Sequence, residues 1–484
     1  MSLNLDNLQA CTDDARRAAL DGDTGPSDPT DFSQLRGRLE AAREKLPPLY
    51  RQEVFEPYVR KLDELGPFEF MRILLKDPFQ NGLAGLMLDI AHAIIQNGEG
   101  YEERATDGFQ EVVSDLYDGF LSAEDRRGVK PPDRGVIAPL VKWGNPDSGP
   151  YTWPVSATEI FDVGAAIVSL PPANARSGLL AWAVLGHETA GHDILHADTG
   201  LRAEIGQEVF QELTNEKLPS LFPRYWADRI DETASDVLGI LNMGPSAAIG
   251  LVGYFRGLRA AFAGVPKLSN VGSAEGVHPA DILRGFLGAS TVRLLRFDGA
   301  QDAAKAIDQE VAKDVGEIVL EDLPVSEADA RMSAEVVART IVQSRMESLE
   351  NRALGEIQNW RNQDEAIVAE LRAVLRSANA LPDHFAEGIY AAHAVAAAVT
   401  AALAKGGDIP LLFRRLLAVL KSMHDGNPSW GPLYVTRPSN ILRHLVYEEG
   451  RARDLVTDKQ RSSAGPTKDE IPRQTGETVQ THAT

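Results

Sequence analysis

Three histidines fall within ten residues in the segment Gly186-His-Glu-Thr-Ala-Gly-His-Asp-Ile-Leu-His196. Imidazoles one helical turn apart can bind a zinc ion, and a glutamate beside them can take a proton from the water that the metal activates. The spacing here is HExxxH, formed by His187, Glu188 and His192, one residue longer than the common HExxH. Five residues at about 100° each leave the two imidazoles about 140° apart on a regular α-helix. Both reach one metal only if the helix absorbs an extra residue, as a π-bulge does. Gly191, immediately before His192, eases that distortion because it has no side chain to clash.

Some forty residues downstream, Asp231-Glu-Thr-Ala-Ser-Asp236 lies in a predicted helix from about Pro223 to Met243. Glu232 and Asp236 are four residues apart, so their carboxylates share a face. That spacing suits one as third zinc ligand and the other as acceptor from a ligand histidine's second N–H. Two histidines and a carboxylate leave an open coordination position for water, which hydrolysis needs. Asp228 and Asp231, on the same helix, read as a solvated acidic face. A second pairing stays open: His192, Asp193 and His196 spell HDxxH, a regular one-turn histidine pair with Asp in the base position. Otherwise His196 and Asp193 lie behind the ligands or at the surface.

His-Glu-x-x-Gly-His followed by a helix carrying Glu-x-x-x-acid resembles the gluzincin zinc peptidases. The longer HExxGH form is similar to the dipeptidyl-peptidase III family over roughly residues 180–240. The resemblance implies one zinc ion (Zn2+) per chain held by His187, His192 and Glu232, with Glu188 as general base and Asp236 orienting a ligand histidine. It implies the zinc chemistry but not the dipeptide-removing specificity, because Asp231 and Asp236 stand where that family tends to have glutamates. His278-Pro-Ala-Asp-Ile-Leu-Arg284 resembles the His-Pro…Arg element of the heat-shock and prenyl-protein proteases. By that resemblance His278 donates to the developing oxyanion and Arg284 pairs with a site carboxylate. Tyr254 is another candidate donor. His-Pro also simply begins a helix with Pro at its first position.

Helices must position these groups. Apolar residues at three- and four-residue spacing predict helices over Phe32–Leu46 (with Asp31 as N-cap), Tyr50–Leu65, Pro67–Leu75, Gly82–Gln96 and Tyr101–Leu121. The run Ala165-Ala-Ile-Val-Ser-Leu170 reads as a strand ahead of the metal helix, where zincin folds place an edge strand that pairs with extended substrate. From Ala303 to Tyr447 nearly everything reads helical, including a charged segment over Val336–Leu375 and a tightly packed alanine-rich helix over Gly388–Ala404. Residues 1–30 read as a flexible N-terminus, 31–134 as a helical domain ending in the linker Arg126–Gly135, and 135–300 as the metal-binding domain. Residues 301–453 read as a C-terminal helical domain and 454–484 as a polar, disordered tail. The expected fold is mainly α (α+β): a zincin-like catalytic core with a small β element, flanked by N- and C-terminal helical lobes.

The chain carries 49 Lys+Arg against 70 Asp+Glu, a net charge of −21, which argues against a chain-wide nucleic-acid-binding surface. No run of about 18–20 apolar residues predicts a membrane span, and MSLNLDNLQACTDDARR lacks the basic leader and apolar core of a signal peptide. Cys11 is the only cysteine, so neither an internal disulfide nor a thiolate cage is available. Any zinc must therefore be held by His and carboxylate, which favours a catalytic over a structural site. Cys11 has no nearby basic cluster to activate it. His92, His384, His393, His424 and His444 are isolated and read as structural. Phosphate-binding GxxxxGK[ST], GxGxxG after a strand and the GxSxG nucleophile elbow are all absent. The expectation is a cytoplasmic zinc-dependent metallohydrolase, a peptidase acting on peptide or protein, with no nucleic-acid or membrane partner. A catalytically inactive metal-binding regulator and an α-helical scaffold remain the alternatives.

Overall fold

The computed structural model describes residues 3–80, 82–121, 129–130, 132–134, 137–377 and 390–430. The linker Arg126–Gly135 and the C-terminal helical domain are described in part. The tail 454–484, His384 and His444 lie outside the described residues.

The fold is mainly α with small β elements. An N-terminal lobe is built from α2 (Phe32–Ala42), α3 (Glu56–Lys76) and α4 (Leu83–Glu99), which follow α1 (Leu8–Ala19). Asp31 caps α2 as its sequence position predicts, accepting from the Gln34 N–H at 2.7 Å. Gly66, at φ 65°, interrupts α3 between the two expected helices, a conformation that suits a residue without Cβ. After α5 (Glu103–Leu121) come β1 (Leu140–Trp143), β2 (Tyr151–Trp153) and β3 (Ile167–Leu170). The chain then enters α6 (Leu179–Leu185), α7 (Leu201–Asn215), α8 (Ile230–Met243), α9 (Pro245–Phe262) and α10 (Asp281–Arg293). Among the described residues, longer helices then follow at α11 (Ala300–Val311), α12 (Glu327–Gln343), α13 (Asn362–Ser377), α14 (Ala391–Leu403) and α15 (Ile409–Asp425).

Two hydrophobic cores form among the described residues. One joins α2–α4 to Ile137, Leu140, Phe161 and Ile167 of the sheet region. The other runs from Leu8 through α5–α10 to Leu420 in α15. Packing is continuous across residue 300, with α10 against both α11 and α12, so the C-terminal helices share the core of the helices that carry the histidines and carboxylates. The alanine-rich α14 is buried along nearly its whole length, as its composition predicts.

Several expectations are corrected. The flexible N-terminus contains α1, whose Leu8, Cys11, Ala15 and Ala18 are all buried. Only the strap around Gly22–Thr30 has the turn-forming composition that coloured the whole segment. A Cβ on Gly257 of α9 would come within 2.8 Å of Ala15 Cβ, so α1 crosses α9 at close range through small residues. The β content also extends beyond the middle of the chain. Val271–Gly272, Ile318–Leu320 and Leu323–Val325 form a second small sheet, and Arg345–Met346 pairs with Arg352–Ala353 inside the charged stretch expected to be helical. The segment starting at His278-Pro does not begin a helix: α10 starts at Asp281, and its preceding residue Ala280 is extended.

The largest correction for the site concerns the first sheet. Its strand order is β1-β3-β2, with β3 parallel to β1 and antiparallel to β2. The run Ala165–Leu170 is therefore a strand but not the edge. Every residue of Ile167–Leu170 is buried, as expected of a continuous apolar run flanked on both sides. The edge position next to the histidine segment belongs to Tyr151–Trp153, which is only half-buried. Among the described residues, no helix is long and apolar enough to cross a membrane.

Candidate metal centre

The histidine segment is irregular where its spacing requires it. Gly186–Asp193 is a π-helical stretch between α6 and a final α-helical turn, Ile194–Ala197. The wider turn absorbs the extra residue of HExxxH and brings both imidazoles to one side. It lies against α8. A Cβ on Gly191 would stand 2.3 Å from Ser235 Cβ and 2.4 Å from its Cα. One on Gly239 would meet Gly186 C and His187 N at 2.8 Å. The two helices thus cross nearly backbone to backbone, and these glycines permit it.

Three groups converge at that crossing. His187 Nε2 lies 3.1 Å from His192 Nε2 and 3.2 Å from Glu232 Oε2, and His192 Nε2 lies 3.5 Å from Glu232 Oε1. Atoms each about 2.0–2.1 Å from a tetrahedral zinc stand about 3.4 Å from one another. Among the described residues this is the group of histidine and acidic side chains placed to hold a metal ion. Glu232 Oε2 is also buried, with His187 Nε2 at 3.2 Å and Arg284 at 3.9 Å around it, and a cation at the common point would balance its charge. The donor set and its spacing both fit zinc.

A ring of polar groups fixes the three. His187 Nδ1 meets Asp236 Oδ1 at 2.8 Å, which leaves Nε2 directed at the common point. Asp236 in turn receives two Arg284 hydrogen bonds of 2.7 Å each, and Arg284 reaches Glu232 Oε2 at 3.9 Å. Burial opposes a charged imidazole, but the hydrogen bonds and charges of Asp236 and Glu232 outweigh it and raise His187 to about 10. Burial would push Glu232 up, yet the His187 hydrogen bond and the charges of His187, His192 and His278 bring it down to about 2. Against its own burial, Asp236 is held well below the usual carboxylate range by Arg284 and His187. The carboxylates of the centre are therefore ionised, and His187 holds a proton against them that ligation of a cation would displace.

Asp231 is not part of a solvated face. Its Oδ1 meets His192 Nδ1 at 3.3 Å, and its Oδ2 meets His196 Nε2 at 3.3 Å. His196 thus stands one residue behind the ligand set, with Ser156 Oγ 3.3 Å from its Nδ1, and the HDxxH pair does not converge on a common point. Asp228 does lie on the surface, paired with Arg224. The signal for Asp231 was its place among three acids in six residues opposite three histidines. Which acid faces which imidazole depends on the helix crossing.

Glu188 is buried, and its Oε2 accepts from Thr152 Oγ1 of β2 at 2.9 Å. Nothing local in the sequence marks Thr152. Tyr254 is buried close enough to the Glu188 charge that burial and this charge push its phenol upward, so it keeps its proton as a donor. His278 reaches the centre by its Nε2, 3.3 Å from Glu232 Oε1, with its side chain 58% exposed at the rim. It meets the Glu232 carboxylate, and Arg284 pairs with Asp236. Cys11 is buried, with its thiol pushed up to about 12 by burial and then by Asp14, so it is an inert core residue.

No family model, curated protein or solved structure matches the chain.

One neighbour gives a pH-dependent prediction. Asp193 is fully buried, and burial raises its carboxyl to about 7 despite the Val155 N–H at 3.2 Å and the nearby His196. A carboxyl raised by folding contributes its stability below the unfolded-state pKa. That contribution is lost as pH climbs to the folded value. The neutral isostere Asp193→Asn is expected to gain on the parent between the ordinary carboxylate range and about pH 7, then hold a constant advantage. The plateau should be on the order of a few kcal/mol. Urea denaturation of both proteins across pH measures it, and parallel pH profiles would show that Asp193 does not titrate between the two states.

Proposed function

We propose that the protein is a zinc-dependent metallohydrolase of gluzincin type, a peptidase acting on peptides or unfolded protein segments. The observation that carries this reading is the convergence of His187, His192 and Glu232 at 3.1–3.5 Å across a π-helical HExxxH segment. When bound, zinc supplies Lewis acidity at the scissile carbonyl and lowers the pKa of a water in its open position.

The chain's own residues divide the remaining work. His187, His192 and Glu232 hold the ion. Asp236 fixes the tautomer and ring orientation of His187, Arg284 neutralises Asp236, and Asp231 does for His192 what Asp236 does for His187. Glu188, outside the ligand set, takes the proton of the attacking water and hands it to the leaving amine. Tyr254 and His278 are assigned as donors to the negative charge that develops on the carbonyl oxygen. A single free, buried cysteine fits a reducing compartment, and the cytoplasm is the proposed location.

The test is metal content followed by cleavage. Purified protein should carry about one zinc per chain. His187→Ala and Glu232→Ala should lose it, and the zinc-loaded parent should cleave members of a broad peptide library. Protein free of metal at every purification stage would reject the zinc centre. A zinc-loaded protein inert across the library would reject the peptidase while leaving a metal-binding regulator.

A further inference from the structure

The polar cluster on the far face of the first sheet has no part in the metal chemistry, yet it sits directly beneath the residue that holds Glu188. In β2, side chains alternate between faces. Thr152 points to the π-helical segment and donates to Glu188 Oε2 at 2.9 Å. Its neighbours Tyr151 and Trp153 turn the other way, toward α4. There one carboxylate oxygen, Asp89 Oδ2, accepts from both Tyr151 OH (2.7 Å) and Trp153 Nε1 (2.8 Å). The other oxygen of Asp89 pairs with Lys142 Nζ of β1, which also lies 3.0 Å from Tyr151 OH. Lys142 is buried, so Asp89 is bound to it as the partner of a buried charge. Register places Lys142, Ser169 and Tyr151 in one row across all three strands, which ties the edge strand to the sheet's far side.

A three-residue edge strand has few backbone bonds of its own. Side-chain anchors on both flanks of Thr152 therefore decide where its hydroxyl stands. We infer that Asp89 is a positioning residue for Glu188. By gripping Tyr151 and Trp153 it fixes β2, and through Thr152 it fixes the carboxylate that accepts the proton. The inference rests on the proposed role of Glu188 and extends it to a residue in the N-terminal lobe. A displacement of about 1 Å in a catalytic group can cost about 10²-fold in rate.

The test avoids Asp89 itself, whose replacement would strand the buried Lys142. Tyr151→Phe/Trp153→Phe removes both donors and keeps an aromatic ring at each position, smaller at 153. Thr152→Val removes the hydroxyl at nearly constant shape, and Thr152→Ser restores it. In the zinc-loaded parent background, the double variant and Thr152→Val are expected to lower kcat by about 10–10²-fold, with KM and zinc content unchanged. Thr152→Ser should recover most of the rate. Loss of kcat and zinc together, or no recovery with serine, would reduce the network to a structural role and overturn the inference, as would full kcat in the double variant. A crystal structure of the double variant decides the matter independently of turnover. Glu188 Oε2 should leave Thr152 Oγ1, and a contact kept at 2.9 Å would overturn the inference even if the parent proved not to be a peptidase.

Discussion

Glu188→Gln is expected to keep one zinc per chain and to lose peptide hydrolysis by about 10²–10⁴-fold, the range that a positioned general base contributes. The two halves of this result follow from different observations. Retention of metal follows because the converging atoms belong to His187, His192 and Glu232, whereas the Glu188 carboxylate is held by Thr152. Loss of rate follows because an amide of the same shape can still accept the Thr152 hydroxyl but cannot take a proton from water. Fold and site should therefore be preserved, and thermal stability should be close to that of the parent. The measurement pairs zinc analysis with single-turnover cleavage of the best peptide found in the library. Cleavage at the parental rate would remove Glu188 from the chemistry and direct attention to Asp193 or Asp231, two other carboxylates beside the histidines. Loss of zinc would make Glu188 a ligand and overturn the division of roles.

The features that sequence made legible were those that a single helix dictates. HExxxH cannot place two imidazoles on one metal without an inserted residue, so the π-helical stretch over Gly186–Asp193 follows from arithmetic on helical pitch. Glu232 and Asp236, four apart, share a face for the same reason, and both meet His187. What remained hidden depends on how elements meet. Asp231 and Asp228 look alike along the chain, yet the helix expected over both is broken between them: Asp228 ends the short helix Leu221–Ala227 and pairs with Arg224 at the surface, while Asp231 starts α8 and is turned onto His192. Tyr151–Trp153 is too short for a period-two pattern and is followed by Pro154, so the longer apolar run Ile167–Leu170 drew the edge-strand reading. Only the hydrogen-bonded order of the sheet reveals that the longer run is central. α1 was masked by its neighbour, because the Gly- and Pro-rich strap after it lowered the apparent order of the whole first thirty residues. Its anchor, Asp14 Oδ2 accepting from Gly178 N at 2.9 Å and Leu179 N at 3.1 Å, ties it to the start of α6 across more than 160 residues. No local window contains that contact.

Gly191→Ala is expected to weaken zinc binding at the proposed centre. The added Cβ would stand 2.3 Å from Ser235 Cβ and 2.4 Å from Ser235 Cα, and neither atom can move by changing a rotamer. Relief must come from parting the histidine segment and α8, by about an ångström or more for carbon atoms that want about 3.5–4.0 Å. His192 rides on one of those elements and Glu232 on the other. Parting them therefore widens the His187–Glu232 and His192–Glu232 separations, now 3.2 and 3.5 Å, which suit a tetrahedral ion. Overpacking costs about 1–3 kcal/mol in stability. We expect the loss of zinc affinity to be larger, about 10²-fold or more, because ligand geometry tolerates only about 0.2 Å. Gly239→Ala should act in the same direction through the 2.8 Å approach to His187 N. Gly206→Ala serves as the control, since its Cβ would meet Ile230 Cγ2 at an ordinary 3.4 Å on a neighbouring pair of helices. Zinc titration and thermal melting of the three variants separate the outcomes. Parental affinity in Gly191→Ala would mean that the crossing has slack and that the ligands are not held by the backbone contact. Loss of zinc in the first two variants with retention in the third would tie the metal centre to the glycines that let its two helices touch.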